Sequence, residues 1–239
     1  MLKIQNFSAY TLKKEKLLDK INAEFPENSV TLILGPNATG KTTLAEGLSG
    51  SPDILTKGNL FLNNKNITKK NLDQKARLGI FLAYQNPVEI PDVKIFDFLY
   101  ASYKAISKDD LCVWDFHTMV VENLSKLKLT EEFLKRNINQ DFSGGEKKKF
   151  EILQMLILKP KVAILDEIDS GLDINSTKLI FKIIEKYKQE NKAVIILISH
   201  SPKILQYIKP KQVLLIQNKT IKRKGDFKLA KAILKNGYE

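Results

Sequence analysis

Gly35-Pro36-Asn37-Ala38-Thr39-Gly40-Lys41-Thr42 is the stretch from which the rest of this chain is read. It follows an apolar run, Val30-Thr31-Leu32-Ile33-Leu34, with the length and β-branched content of a buried strand, and precedes a helical segment from Lys41 to about Leu48. Strand, glycine-bounded loop and helix start are the context in which G-x-x-x-x-G-K-[ST] cradles phosphate. The loop N–H groups and the first helical turn point at one spot, and the helix dipole adds positive potential there. In that geometry Lys41 reaches the β- and γ-phosphates, the Thr42 hydroxyl is a Mg²⁺ ligand, and Thr43 follows in the same turn. A glycine-rich turn that only joins strand to helix is the simpler reading, and the full pattern in this context argues against it.

The 239 residues suffice for one large α/β domain or a core with an inserted subdomain. Hydrophobic content of 43% and charged content of 28% are ordinary for a globular protein. The longest apolar runs, such as residues 193–198, are strand-sized, and residues 1–7 alternate like a strand rather than forming a signal-peptide core. The expectation is a chain neither secreted nor membrane-spanning, with the cytosol as default compartment and a plastid-like organelle as the alternative. Cys112 is the only cysteine, which excludes an intramolecular disulfide and a cysteine metal cluster. The net charge of +12 comes from scattered lysines with no RNA-binding aromatic motif beside them, so an acidic protein partner is expected and nucleic acid is not.

In chain order, residues 2–8 read as a strand with Tyr10 just beyond it, either stacking on an adenine ring or covering the core at a strand end. Residues 17–25, 58–65 and 79–84 read as further strands or strand-and-turn units. Two prolines make Gln85-Asn86-Pro87-Val88-Glu89-Ile90-Pro91 a shaped, non-helical loop. From Val93 to Leu158 apolar residues recur at helical spacing. His117 falls in this block and is assigned no role. Strands at 162–165 and 193–198, a helix at 175–190, a hairpin around Asn218-Lys219 and a closing helix at 227–234 complete the chain.

Asp166 and Glu167 follow four apolar residues, which places two carboxylates at the carboxyl end of a buried strand, where open α/β sheets bind ligands. Asp166 is suited to hold Mg²⁺ and Glu167 to accept a proton from an attacking water. Phe142-Ser143-Gly144-Gly145-Glu146 opens a helix that Ser143 caps, and its glycine pair allows close approach of a phosphate.

With His200 and Ser170-Gly171-Leu172-Asp173, these segments stand in the order of Walker A, signature, Walker B, D-loop and H-loop. Over nearly its whole length the chain resembles the ATP-binding-cassette (ABC) ATPases. The resemblance implies a P-loop NTPase of α/β class: a RecA-like α/β core (residues 1–92 and 159–239), an antiparallel β subdomain, and an inserted helical subdomain (93–158). It implies ATP and Mg²⁺ as ligands, with residues 35–43 and Tyr10 on the nucleotide and Thr42, Gln85 and Asp166 on the metal. Glu167, Gln85 and His200 are the implied catalytic set. Two copies are implied to close head to tail, Ser143, Gly144, Gly145 and Asp173 of one completing the site of the other. Five stretches (85–91, 142–148, 165–174, 207–210 and 225–227) further resemble the SufC-type ATPases of the Suf iron–sulfur cluster assembly system, whose partners are SufB- and SufD-like scaffolds. The competing readings are the motor subunit of an ABC membrane transporter and a nucleotide-dependent nucleic-acid-binding module. Ala38 stands where that family commonly has Gly, Lys149 where Arg is common, and Ser201-Pro202 after His200 where a bulkier pair is usual.

Overall fold

The computed structural model describes residues 1–107 and 109–238. Its centre is a six-stranded sheet: β3 (Ser29–Leu34), β6 (Ile80–Ala83), β9 (Val162–Asp166), β10 (Val194–Ile198), β11 (Gln212–Gln217) and the edge strand β12 (Thr220–Gly225), in the order β12-β11-β3-β10-β9-β6. All contacts are parallel except the β11–β12 hairpin. The apolar runs are continuous because both faces are covered. Val30, Leu32 and Leu34 of β3 feed one core and Ile33 the other, and β9 and β10 divide their residues in the same alternation.

One face packs against α1 (Lys41–Ser49) and a four-stranded antiparallel sheet of β1 (Leu2–Tyr10), β2 (Lys16–Phe25), β4 (Leu55–Leu62) and β5 (Lys65–Asn66), ordered β2-β1-β4-β5. The other face belongs to the larger core, shared with α3 (Ile95–Ile106), α4 (Val113–Lys126), α5 (Gly144–Leu158), α6 (Ile174–Asn191) and α7 (Phe227–Asn236). Among the described residues no helix is long and apolar enough to cross a membrane.

One local expectation is corrected and two short elements are added. Ile90 and Pro91, read as loop, lie in β7 (Ile90–Lys94), which pairs with β8 (Asn137–Ile138), so the helical block opens on a ribbon and its first helix starts at Ile95 rather than Val93. Pro91 is tolerated because both strands of a two-stranded ribbon are edges. A short helix, α2 (Leu72–Arg77), was not expected; it rests on a capping box between Asn71 and Gln74. A 3₁₀ turn at Pro202–Gln206 follows His200. The hairpin at Asn218-Lys219 is as read, both residues having positive φ (48° and 65°), the requirement of a type I′ turn.

Candidate active site

Strand order assembles the site. The parallel register sets Ile198 beside both Ile33 and Asp166, and Leu165 beside Ala83, so the carboxyl ends of β3, β6, β9 and β10 share one rim. From that rim emerge Gly35, Gln85, Glu167 and His200, far apart in sequence. A cavity of about 800 Å³ there is lined by Asn37, Ala38, Gly40, Lys41, Thr42 and Thr43, together with Gln85, Glu167 and His200.

The Lys41 ammonium is buried and donates to the carbonyl oxygens of Gly35 (2.9 Å) and Pro36 (2.7 Å). Burial lowers its pKa, and Glu167 and Asp166 oppose that shift. Gly40 has φ 98°, and a Cβ there would come within 2.5 Å of the Leu18 side chain, so the turn into α1 admits no larger residue without movement. Ala38 has φ 60°, the left-handed region that glycine occupies without penalty.

Glu167 is the hub of the catalytic candidates. Gln85 Nε2 donates to its Oε2 at 2.6 Å, and His200 Nε2 lies 3.2 Å from its Oε1. Its own backbone is held at φ 49°, with its N–H donating to the Ile198 carbonyl. That left-handed conformation costs a residue other than glycine about 1–2 kcal/mol. Burial is the main cause of the lowered His200 pKa, and Lys41 acts the same way against the opposing pull of Glu167 and Asp169. Both effects favour the neutral ring.

Asp166 is 1% exposed, and neither carboxylate oxygen has a hydrogen-bond partner among the described residues. Burial pushes its pKa up, and the Thr42 hydroxyl beside it, outside hydrogen-bonding geometry, offsets part of that cost. An orphaned buried carboxylate next to a hydroxyl fits a hard cation, and Mg²⁺ takes few protein ligands beside phosphates.

Gln85 is also held from behind. Buried Lys148, on α5, donates to the Gln85 carbonyl at 2.8 Å. The signature residues lie outside the cavity lining. Ser143 caps α5 in a capping box with Glu146, and a Cβ at Gly144 would meet nothing within 4 Å among the described residues. Asp173 caps α6, accepting from the N–H groups of Asn175 (2.8 Å) and Ser176 (3.0 Å). Tyr10 is likewise outside the lining, with the Lys57 ammonium 5.4 Å from its ring centroid.

Residues 18–170 match the sequence profile of the family described as ABC transporter. The chain belongs to that family as an ABC-type ATPase. It is 39% identical to a probable ATP-dependent transporter, ycf16, of Trieres chinensis, the match covering all of this chain and 96% of that protein. It is also 39% identical to a probable ABC transporter ATP-binding protein of Streptococcus pyogenes, covering all of this chain and 93% of the other. Among solved structures, the dimeric ATP-binding cassette MJ0796 bound to ADP and Pi superposes with a TM-score of 0.82 at 18% identity, covering 95% of this chain and 99% of that one. A second, nucleotide-free cassette of an ABC transporter gives 0.75 at 24% identity, covering 95% and 91%.

Two residues of the cavity have no motif to announce them. Leu17 and Lys219 line the cavity beside the P-loop. A hydrogen bond from the Asp19 N–H to the Lys219 carbonyl (2.8 Å) ties the tip of the β11–β12 hairpin to β2. Their only sequence signal is membership of a strand and a turn.

Proposed function

We propose that this ABC ATPase is the ATP-hydrolysing subunit of a SufBCD-type iron–sulfur cluster assembly complex. The observation that carries the hydrolytic part is the convergence of Gln85 and His200 on Glu167 across the mouth of the P-loop. The P-loop N–H groups and Lys41 hold the phosphates, Glu167 takes the proton of the attacking water, and Gln85 and His200 orient the water and the γ-phosphate. Thr42, Gln85 and Asp166 are the residues that would hold Mg²⁺, which would supply positive charge against that of the phosphates. Ser143, Gly144, Gly145 and Asp173 serve the site of a second copy in a head-to-tail dimer.

The assembly role is supported by the five stretches that resemble SufC-type ATPases. A single cysteine is consistent with it, since cluster ligands then lie on SufB- and SufD-like partners. On this reading the protein works in the cytosol or a plastid-like organelle. The names of the relatives, ATP-dependent transporter and ABC transporter ATP-binding protein, favour a second reading, the motor of a membrane permease. Affinity capture from the native cell extract with mass spectrometry separates the two. Recovery of SufB- or SufD-like proteins is the expected result, and a multi-span membrane protein in their place overturns the proposal.

A further inference from the structure

His200 is one of two histidines in the chain, and both of its ring nitrogens are engaged. Nε2 faces Glu167 Oε1 at 3.2 Å, and Nδ1 lies 3.2 Å from the hydroxyl of Tyr238. Tyr238 comes from the far end of the chain. After α7, Gly237 takes φ 89° and turns the backbone, and the Tyr238 carbonyl then accepts from Gln217 Nε2 at 2.7 Å. Gln217 ends β11, so the phenol is tethered to the central sheet at its backbone and packs against the larger core through its ring.

We propose that Tyr238 is a positioning residue for His200: its O–H donates to Nδ1 and so holds the ring proton on Nε2, the nitrogen that faces the chemistry. A neutral imidazole has one donor and one acceptor, and the partner of one nitrogen decides the role of the other. The carboxylate oxygen opposite Nε2 accepts, which makes Nε2 the donor and leaves Nδ1 a bare acceptor for the phenol. Burial raises the phenol pKa, so the O–H proton stays in place. The reverse tautomer would turn a lone pair toward Glu167 and toward a γ-phosphate oxygen, both acceptors. This inference rests on the assignment of His200 to the γ-phosphate made above. It adds that the C-terminal segment, which carries none of the nucleotide motifs, sets the state of that histidine.

The test is a tautomer measurement joined to kinetics. Long-range ¹H–¹⁵N spectra of the ¹⁵N-histidine-labelled chain distinguish Nδ1–H from Nε2–H, and H200A assigns the His200 signals against those of His117. The wild type is expected to show the Nε2–H form, and Y238F a mixture of tautomers. The same variant is expected to lose about fivefold in kcat for ATP hydrolysis at unchanged KM, the scale of one neutral hydrogen bond. In the H200A background Y238F is expected to add nothing. Gln217→Leu, which releases the tether without touching the ring, is expected to move the tautomer in the same direction. A His200 tautomer unchanged in Y238F overturns the inference, and so does a changed tautomer with unchanged kcat. A wild-type rate in H200A overturns instead the assignment of His200 to the γ-phosphate, which keeps the two failures apart.

Discussion

Ala38 of the P-loop and Glu167, like Lys219 at the hairpin tip, sit in the left-handed region, the first two at φ 60° and 49°. For Ala38 the strain is removable. A Gly there relieves about 1–2 kcal/mol of steric cost and adds about 0.4–1 kcal/mol of unfolded-state entropy. A38G is therefore expected to stabilise the chain by about 0.5 kcal/mol, seen as a raised urea midpoint; a clear loss of stability would show that Ala38 is held by contacts worth more than its strain. For Glu167 the strain aims a carboxylate between Gln85 and His200. E167Q keeps the shape and removes the base. Phosphate release is expected to fall about 10²–10³-fold with ATP binding retained, and a rate near wild type would exclude Glu167 as the base.

At the scale of elements, α5 links the signature segment at its N-terminus to the Gln85 loop. Lys148 grips the Gln85 carbonyl, and Glu151, one turn on, is also buried. Burial pushes the Glu151 carboxyl up to about 7, against the opposing effects of Gln154, Lys148 and the Tyr84 backbone. The folded chain thus keeps a proton that the unfolded chain has released above its ordinary value near 4.5. The stability this lends is complete below pH 4.5 and is lost as pH rises through about 7. The loss amounts to about 3 kcal/mol. E151Q, always neutral, is expected to flatten this part of the profile. Urea unfolding at pH 5 and pH 8 measures it, and an equal pH slope in both proteins would place the dependence on another group.

The whole molecule presents a nucleotide cavity on one rim and keeps its signature glycines off that cavity. A cassette whose signature helix starts off that cavity fits one half of the two-site assembly proposed above. E167Q with ATP is therefore expected to run at twice the 27.2 kDa monomer mass in light scattering. G145D tests the geometry. Among the described residues a Cβ at Gly145 meets only Leu172, at 3.6 Å, and a carboxylate is favourable in a first helical turn. The monomer is expected to unfold at an unchanged temperature, while ATP-dependent dimerisation of G145D/E167Q disappears because the new carboxylate opposes a phosphate. A dimer that survives G145D would put the signature helix outside the interface.

What the sequence determined by itself was local. Val30 through Thr42 specify strand, loop and helix start because apolar run, glycine spacing and lysine lie within one βα unit. Ser143 with Glu146 specify a helix start, and Asn218-Lys219 a tight turn, because a cap or a positive φ is a property of a few adjacent residues. The short β7–β8 ribbon and α2 lay beyond the pattern, since too few residues carry a period and Pro91 reads as loop whether or not a strand pairs with it. The tertiary structure decided the geometry in which the loops meet. Gln85, Glu167 and His200 converge because β10 inserts between β3 and β9, an order set by burial on both faces of the sheet and by no neighbouring residue. Leu17, Lys219, Lys148 and Tyr238 reach the site the same way, through hydrogen bonds and packing between segments up to 200 residues apart, for which one-dimensional spacing holds no signal.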